Sequence, residues 1–350
     1  MKLFDAHLDL AMNALEWNRD YTDSLDNIRV RERNLHDKPD RGRGVISFDE
    51  MKQAGARVCI ATQIARFVEK DNVLPGWHSP AQAWAQTQGQ RAWYEEMEKA
   101  GFLTQLRDWP SLKSFWEQED SHSLGYILSL EGADSIVDLG HLEMAYAYGL
   151  RALGPAHYGP GRYAFGTDSE GPMPARGLEL LKKMGELGII LDVTHLSDQC
   201  FWTALDLYQG PLWASHHLCR SLTPHNRQLS DEMIRALLDR GAVIGLALDA
   251  WMIVPGWERG VSTPASTGVS LRHVAEHLDH ICQLAGHARQ VGLGTDLDGG
   301  FGTEQTPIEI QQYRDLPKFA DLLKEKGYSR SDVQGIWGEN WIQFLESAWA

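Results

Sequence analysis

The chain has 350 residues, 43% of them hydrophobic, and carries a formal net charge of -15. That length suits one large α/β domain with generous loops, and the apolar share is enough for a sizeable core. So acidic a balance argues against a nucleic-acid backbone as partner. Four scattered cysteines (Cys59, Cys200, Cys219 and Cys282) include no Cys-x-x-Cys pair. They argue against a disulfide framework and a thiolate zinc site, and they fit a reducing compartment. Asp5, His7 and Asp9 break the N-terminal apolar run, unlike a signal peptide, and no stretch approaches the roughly 18 apolar residues of a membrane span. The expectation is a soluble, cytoplasmic protein without a membrane partner.

Residues 3–9 (Leu-Phe-Asp-Ala-His-Leu-Asp) alternate apolar and polar side chains, the two-residue period of a strand. In an extended segment His7 and Asp9 project from one face, about 6.6 Å apart. An imidazole and a carboxylate so placed can hold one divalent metal; alone, the pair fits equally well a strand that ends in solvated polar groups. Residues 18–44 are polar, with Arg29, Arg31, Arg33, Arg41 and Arg43 among acids, and read as a long surface loop with about one helical turn. Residues 57–62 form a second strand. Pro80 starts a helix, a shorter one begins near Ser111, and residues 124–131 are a third strand. A helix over 139–148, a fourth strand over 150–153 and a Gly/Pro-rich loop over 154–177 follow. A helix over 178–187 leads to a fifth strand, 189–194. Asp198 is the expected N-cap of a helix to Tyr208, and 212–215 is a sixth strand. Ser230, with Met233 three residues on, caps a helix to Arg240. Residues 242–248 form a seventh strand, Ser270 opens a helix to Leu284, and 291–295 form an eighth strand. Two helical patterns close the chain. Eight short apolar strands alternating with helices imply a distorted (β/α)₈ TIM barrel, a single domain over 1–350 with long loops after strands one, four and seven. A doubly wound sheet is the runner-up.

In such a barrel the active site lies at the C-terminal ends of the strands. There stand His7 and Asp9 (strand one), Glu131 (three), His157 (just beyond four), His195 (five), His216 (six) and Asp296 (eight). Any one could be a satisfied structural group. So many on one rim are hard to assign to packing, because burying them unpaired is costly. The chemistry suggests two metals: one held by His7 and Asp9, one by His195 and His216, with Glu131 giving an oxygen to each. Two divalent ions about 3.5–4 Å apart can share a hydroxide and polarise a carbonyl. Asp296 is then the natural general acid/base.

At this point the chain resembles the membrane dipeptidase (renal dipeptidase) family of zinc peptidases, within the amidohydrolase superfamily. The matching runs are Asp5-Ala-His7-Leu-Asp9, Glu131-Gly132, Leu191 through Ser197, Ala214-Ser215-His216, Gly292 through Gly299, and Gly338 through Phe344. The resemblance implies two Zn²⁺ per chain and hydrolysis of dipeptides, often with a D-residue tolerated at the C-terminal side. It gives metal-ligand roles to His7, Asp9, Glu131, His195 and His216, and the acid/base role to Asp296. His157 matches a histidine that contacts the substrate or its tetrahedral intermediate, and Arg227 an arginine facing the substrate carboxylate. Two stretches depart from the family's pattern: Leu153-Gly-Pro-Ala-His157-Tyr-Gly-Pro-Gly161, and Ala247-Leu-Asp249-Ala-Trp251 after strand seven. These loops shape the pocket, so the metal chemistry carries over better than substrate preference.

Asp249 is a candidate substrate-binding residue that selects a cationic group, with Trp251 as an apolar wall; capping its own loop is the plainer role for such an aspartate. Trp257 is a second candidate for the wall, while most of the 13 tryptophans read as core. His217 should point away from His216, either packing or supporting the residues around the site. His273, His277 and His280 share a helical face, expected to be solvated rather than metal-binding. No Gly-x-Ser-x-Gly is present, so a serine hydrolase has no nucleophile elbow. Competing activities are another amidohydrolase reaction, such as an N-acyl amino acid deacylase or lactonase, and a non-catalytic binding protein. The first loses weight because many such relatives carry His-x-His on strand one and a modified lysine on strand four. This chain has His-x-Asp and only Arg151 there. The second loses weight because no ligand position is vacant. The expected partner is a small dipeptide; the oligomeric state stays open, with a homodimer among the options.

Overall fold

A computed structural model describes residues 1–72 and 75–349. Its strands are β1 (Leu3–Leu8), β2 (Ala56–Ile64), β3 (Leu103–Gln105), β4 (Leu124–Glu131) and β5 (Leu150–Gly154). After these come β6 (Ile190–Asp192), β7 (Leu212–His217), β8 (Ile244–Leu246) and β9 (Val291–Leu293). All pair in parallel in the order β2-β1-β9-β8-β7-β6-β5-β4-β3, and a further β2–β4 pairing closes eight of them into a barrel. The expected TIM-barrel architecture is present. The ninth strand, β3, was not expected. It shares one edge of β4 with β5, lying opposite residues 124–126 while β5 lies opposite 128–131. Three residues, Leu-Thr-Gln, are too short and too polar to register as a strand in sequence.

Two apolar layers hold the barrel. Leu3, Leu128, Leu153, Leu191 and Leu246 belong to a large buried cluster shared with the surrounding helices. A smaller cluster unites Phe4, Ala6, Val58, Ile60 and Trp213 with Trp341 of the C-terminal helix Asn340–Trp349. Trp341 stacks on Phe4 at 5.8 Å, meets Trp213 edge-on at 5.7 Å and donates to Leu293 O at 3.2 Å. A Cβ on Gly292 would lie 2.2 Å from Trp341 Nε1, so this glycine makes room for the plug. The C-terminal helix thus packs against the starts of β1 and β9, away from the polar rim.

Helix starts follow local chemistry. Ser79 accepts from Gln82 N ahead of Pro80–Lys99, and Ser230 from Met233 N ahead of Asp231–Asp239. The cap of Asp198–Leu207 is Ser197, not Asp198 as expected. Asp198 sits one place later, in the first turn, and pairs with Arg220 at 2.7 Å.

Residues 18–44 are not a plain surface loop. They contain the helix Leu25–Glu32, and Arg19 is buried at 2% exposure. Its guanidinium meets Glu32 at 2.9 Å, Asp40 at 2.8 Å and Asn13 Oδ1 at 2.9 Å, and lies 3.6 Å from Asp298. Asp298 in turn accepts from Val45 N at 2.8 Å and Ile46 N at 3.2 Å. This ionic network fastens the first long connection to the chain just past Asp296, so it braces the rim. Among the described residues, no helix is long and apolar enough to cross a membrane.

Candidate metal centre

The rim residues converge. Glu131 is the last residue of β4, where Gly132 (φ 76°) turns the chain away. His7 and His216 lie near the ends of β1 and β7, while Asp9, His157, His195 and Asp296 follow β1, β5, β6 and β9. Even alternation does not bring His7 and Asp9 together. The β1–β2 register shifts between Asp5 and Leu8, and Asp9 lies beyond the strand; His7 Nε2 still comes 3.8 Å from Asp9 Oδ2. Glu131 stands in the middle with its two oxygens divided. Oε2 is 3.6 Å from His7 Nε2, and Oε1 is 3.2 Å from His195 Nε2 and 3.4 Å from His216 Nε2. Asp296 Oδ1 is 3.8 Å from His7 Nε2, and His157 Nε2 is 3.9 Å from Glu131 Oε2.

His195, Asp296 and Asp298 hold positive φ of 68°, 58° and 60°. Left-handed backbone at non-glycine positions is costly and persists where the surroundings over-determine it. Here neighbouring groups hold the histidines and the chain that leads to Asp296. Thr167 Oγ1 contacts His195 Nδ1 at 2.9 Å, and Ser215 Oγ contacts His216 Nδ1 at 2.9 Å. Asp5 accepts from Thr295 N at 2.8 Å, Thr295 Oγ1 at 2.6 Å and Tyr313 OH at 2.8 Å, fastening β1 to the chain before Asp296.

The electrostatics ask for added positive charge. Burial pulls the His7 imidazole down, but Glu131, Asp9 and Asp296 outweigh it and push it up to about 10. Burial, reinforced by the charge of Asp9 against that of His7, raises Glu131 to about 7. Burial also lifts Asp296 well above the usual carboxylate range. His195 and His216 are held well below the usual imidazole range by burial, and next by the charge of Arg227 and His7 respectively. Neutral imidazole is the form that ligates metal. His7 Nε2, Asp9 Oδ1 and Glu131 Oε1 are buried without a hydrogen-bond partner among the described residues. Orphaned donor and acceptor atoms aimed at one point, in a set of imidazoles and carboxylates, fit divalent cations of the zinc type. Three overlapping trios (His7, His216, Asp296; Glu131, His157, His195; His7, Asp9, Glu131) each have ligand atoms within 4.8 Å of one another.

Above the cluster opens a cavity of about 770 Å³ whose wall includes Tyr158, Arg227, Asp249, Trp251 and Arg259. Arg227 is buried, with Nη2 donating to His216 O at 2.9 Å and Nη1 3.2 Å from His217 Nδ1. No carboxylate is among these partners. Asp249 caps the short helix Ala250–Ile253 by accepting from Trp251 N at 3.4 Å, takes Gln305 Nε2 at 2.8 Å, and lies 3.7 Å from Arg259. The cation beside Asp249 is therefore the chain's own. Trp251 reaches the wall; Trp257 packs partly buried against the core.

The sequence model of membrane dipeptidase (peptidase family M19) matches residues 1–349. The chain belongs to that family. It is a metal-dependent hydrolase acting on dipeptides. It is 26% identical over 232 residues to the dipeptidase tcpJ of Claviceps purpurea, a match covering 63% of this chain and 51% of the fungal protein. The chain thus spans about half the length of that relative. Its fold is similar to that of a crystal structure described as dipeptidase AC, a metallopeptidase, with TM-score 0.81 and 23% identity over 100% of this chain and 99% of the other. A metallopeptidase from Rhodobacter sphaeroides, liganded with a phosphinate mimic of the dipeptide L-Ala-D-Ala, gives TM-score 0.79 and 22% identity over 100% and 99%.

Within this membrane-dipeptidase barrel, the candidate metal ligands His7, Asp9, Glu131, His195 and His216, together with Asp296, His157, Arg227 and Asp249, lie on the rim or the cavity wall. Arg66, Tyr158 and Arg259 are among the cavity-lining residues not singled out in sequence. Arg66 reads as an ordinary polar residue after a strand, and Arg259 as a loop charge; only the adjacency of Tyr158 to His157 was a signal. The face of His273, His277 and His280 needs correction. His277 is buried, contacting Cys219 N at 3.0 Å and Ile253 O at 3.0 Å, so it is a structural tie between loops and not a solvated side chain. His280 pairs with Asp231 at 2.8 Å and His273 caps its helix with Ser270.

Proposed function

We propose that the chain is a binuclear zinc dipeptidase. One zinc would be held by His7 and Asp9, the other by His195 and His216, with Glu131 shared between them. The observation that carries this reading is the division of Glu131, with one oxygen toward His7 and the other toward His195 and His216. When bound, two such ions supply Lewis acidity at the scissile carbonyl and make water acidic enough to attack at neutral pH.

The chain's own groups do the rest. Asp296, buried beside His7, accepts the proton of the attacking water and returns it to the leaving amine. Arg227 offers a fork of N–H donors to the substrate's C-terminal carboxylate, since none of its present partners is an acid. His157 presents its Nε2 to the substrate oxygen. Asp249 and Trp251 form the far wall, with Asp249 acting on substrate through Arg259. The cavity accommodates a dipeptide, and L-Xaa-D-Xaa pairs belong in the first panel because the Rhodobacter relative holds an L-Ala-D-Ala mimic. Four cysteines free of disulfides fit a cytoplasmic setting. The test is metal content per chain with a screen of dipeptides, N-acyl amino acids and lactones. Two zinc ions with turnover of dipeptides alone is the expected result; hydrolysis of lactones or N-acyl amino acids in preference would refute the reading.

A further inference from the structure

Arg66 stands two residues past the end of β2, and its Nη2 lies 2.6 Å from His157 Nδ1. A guanidinium has only N–H donors and keeps its charge in proteins. His157 Nδ1 must therefore be the acceptor in this contact. A neutral imidazole carries one proton, and with Nδ1 accepting, that proton is on Nε2. Nε2 is the nitrogen that faces the metal centre, 3.9 Å from Glu131 Oε2.

We infer that Arg66 is a positioning residue that fixes His157 as the Nε2–H tautomer, so that this histidine offers a hydrogen-bond donor to the substrate and no lone pair to a metal. Distance alone does not separate these roles, because His157 forms a trio with Glu131 and His195 of the size that could hold an ion. The tautomer does separate them. Ligation through Nε2 needs its lone pair, and the Arg66 contact leaves that nitrogen protonated. Arg66 also lies over Tyr158, the next residue, its guanidinium carbon 5.8 Å from the ring centroid, while Arg259 donates to the Tyr158 hydroxyl at 3.0 Å. Arg66 thus touches two consecutive residues of the loop that departs from the family's usual sequence. The role in turnover rests on the dipeptidase reading; the tautomer does not.

The test uses full-length protein selectively labelled with ¹⁵N-histidine, His157 being assigned by its loss in His157→Asn. Long-range ¹H–¹⁵N correlations are expected to show an unprotonated Nδ1 and a protonated Nε2. Arg66→Lys keeps a donor-only cation and should keep this signature, with kcat within about threefold of wild type. Arg66→Glu puts an acceptor against Nδ1 and should invert the signature. It should lower kcat on the order of 10²-fold, the scale of one lost oxyanion donor, with KM and metal content little changed. A wild-type spectrum with the proton on Nδ1 overturns the inference, whatever the variants do. So does an unchanged signature in Arg66→Glu, an equal kcat loss in both variants, or loss of a metal ion from His157→Asn. If the signatures follow the expectation but no dipeptide is cleaved, the dipeptidase reading fails and the tautomer assignment stands.

Discussion

Asp296→Asn isolates proton transfer from binding. The substitution keeps side-chain volume and is suited to the site's backbone, since asparagine tolerates the left-handed region that Asp296 occupies at φ 58°. Its backbone N–H still donates to His7 O at 3.2 Å, so the link between β9 and β1 remains. Glu131, Asp9, His195 and His216 are untouched, so metal content should equal that of wild type. An amide cannot accept the proton of the attacking water. General acid/base catalysis is worth about 10²–10⁴-fold, or roughly 2.7–5.4 kcal/mol of barrier. The assay is steady-state hydrolysis of a neutral dipeptide, followed by release of free amino acids, with zinc measured on the same sample. We expect kcat to fall by that factor with KM little altered. Near-normal kcat at full zinc content would refute the assignment and move the acid/base to another group.

Three further outcomes follow from the same geometry. Arg227→Met should raise KM for dipeptides with a free C-terminus on the order of 10–100-fold, the scale of a lost charge-assisted hydrogen bond, and change it little for dipeptide amides; equal losses on both would remove Arg227 from carboxylate recognition. His277, buried between Cys219 N and Ile253 O, is lowered by burial to about 4. Its folded pKa lies below the unfolded 6.5, so its contribution is complete above pH 6.5 and is lost as pH falls toward 4, at about 1.4 kcal/mol per pH unit. Urea unfolding at pH 7 and pH 5 should show that loss in wild type and a smaller one in His277→Gln; identical pH dependence would contradict the tie. Asp249→Asn should lower thermal stability and affect KM equally for cationic and neutral dipeptides, because Trp251 N, Gln305 and Arg259 already occupy the carboxylate. A rise confined to cationic substrates would show that Asp249 reads the substrate directly.

The barrel and the rim were legible because their signals are local. Short apolar runs separated by helical patterns give the fold, and polar residues terminating those runs give the site. The elements that escaped depend on partners far apart in sequence. Arg19 sits in a stretch whose charge reads as solvated, yet it is buried because Glu32 and Asp40 accept its donors and Asn13 its third nitrogen. Arg66 meets His157 across 91 positions, and His277 is taken from solvent by two loops that no helical periodicity reveals. His7 and Asp9 were paired correctly in space, but through an irregular register and a residue past the strand end, which alternation alone does not anticipate.

The central claim is that one carboxylate serves two ions, and zinc content per chain in wild type and Glu131→Gln, measured side by side, tests it most directly. The wild type should hold two ions. Glu131→Gln should lose zinc from both positions, because Oε2 faces His7 while Oε1 faces His195 and His216. Two ions per chain retained in Glu131→Gln, or a single ion in fully loaded wild type, would contradict it.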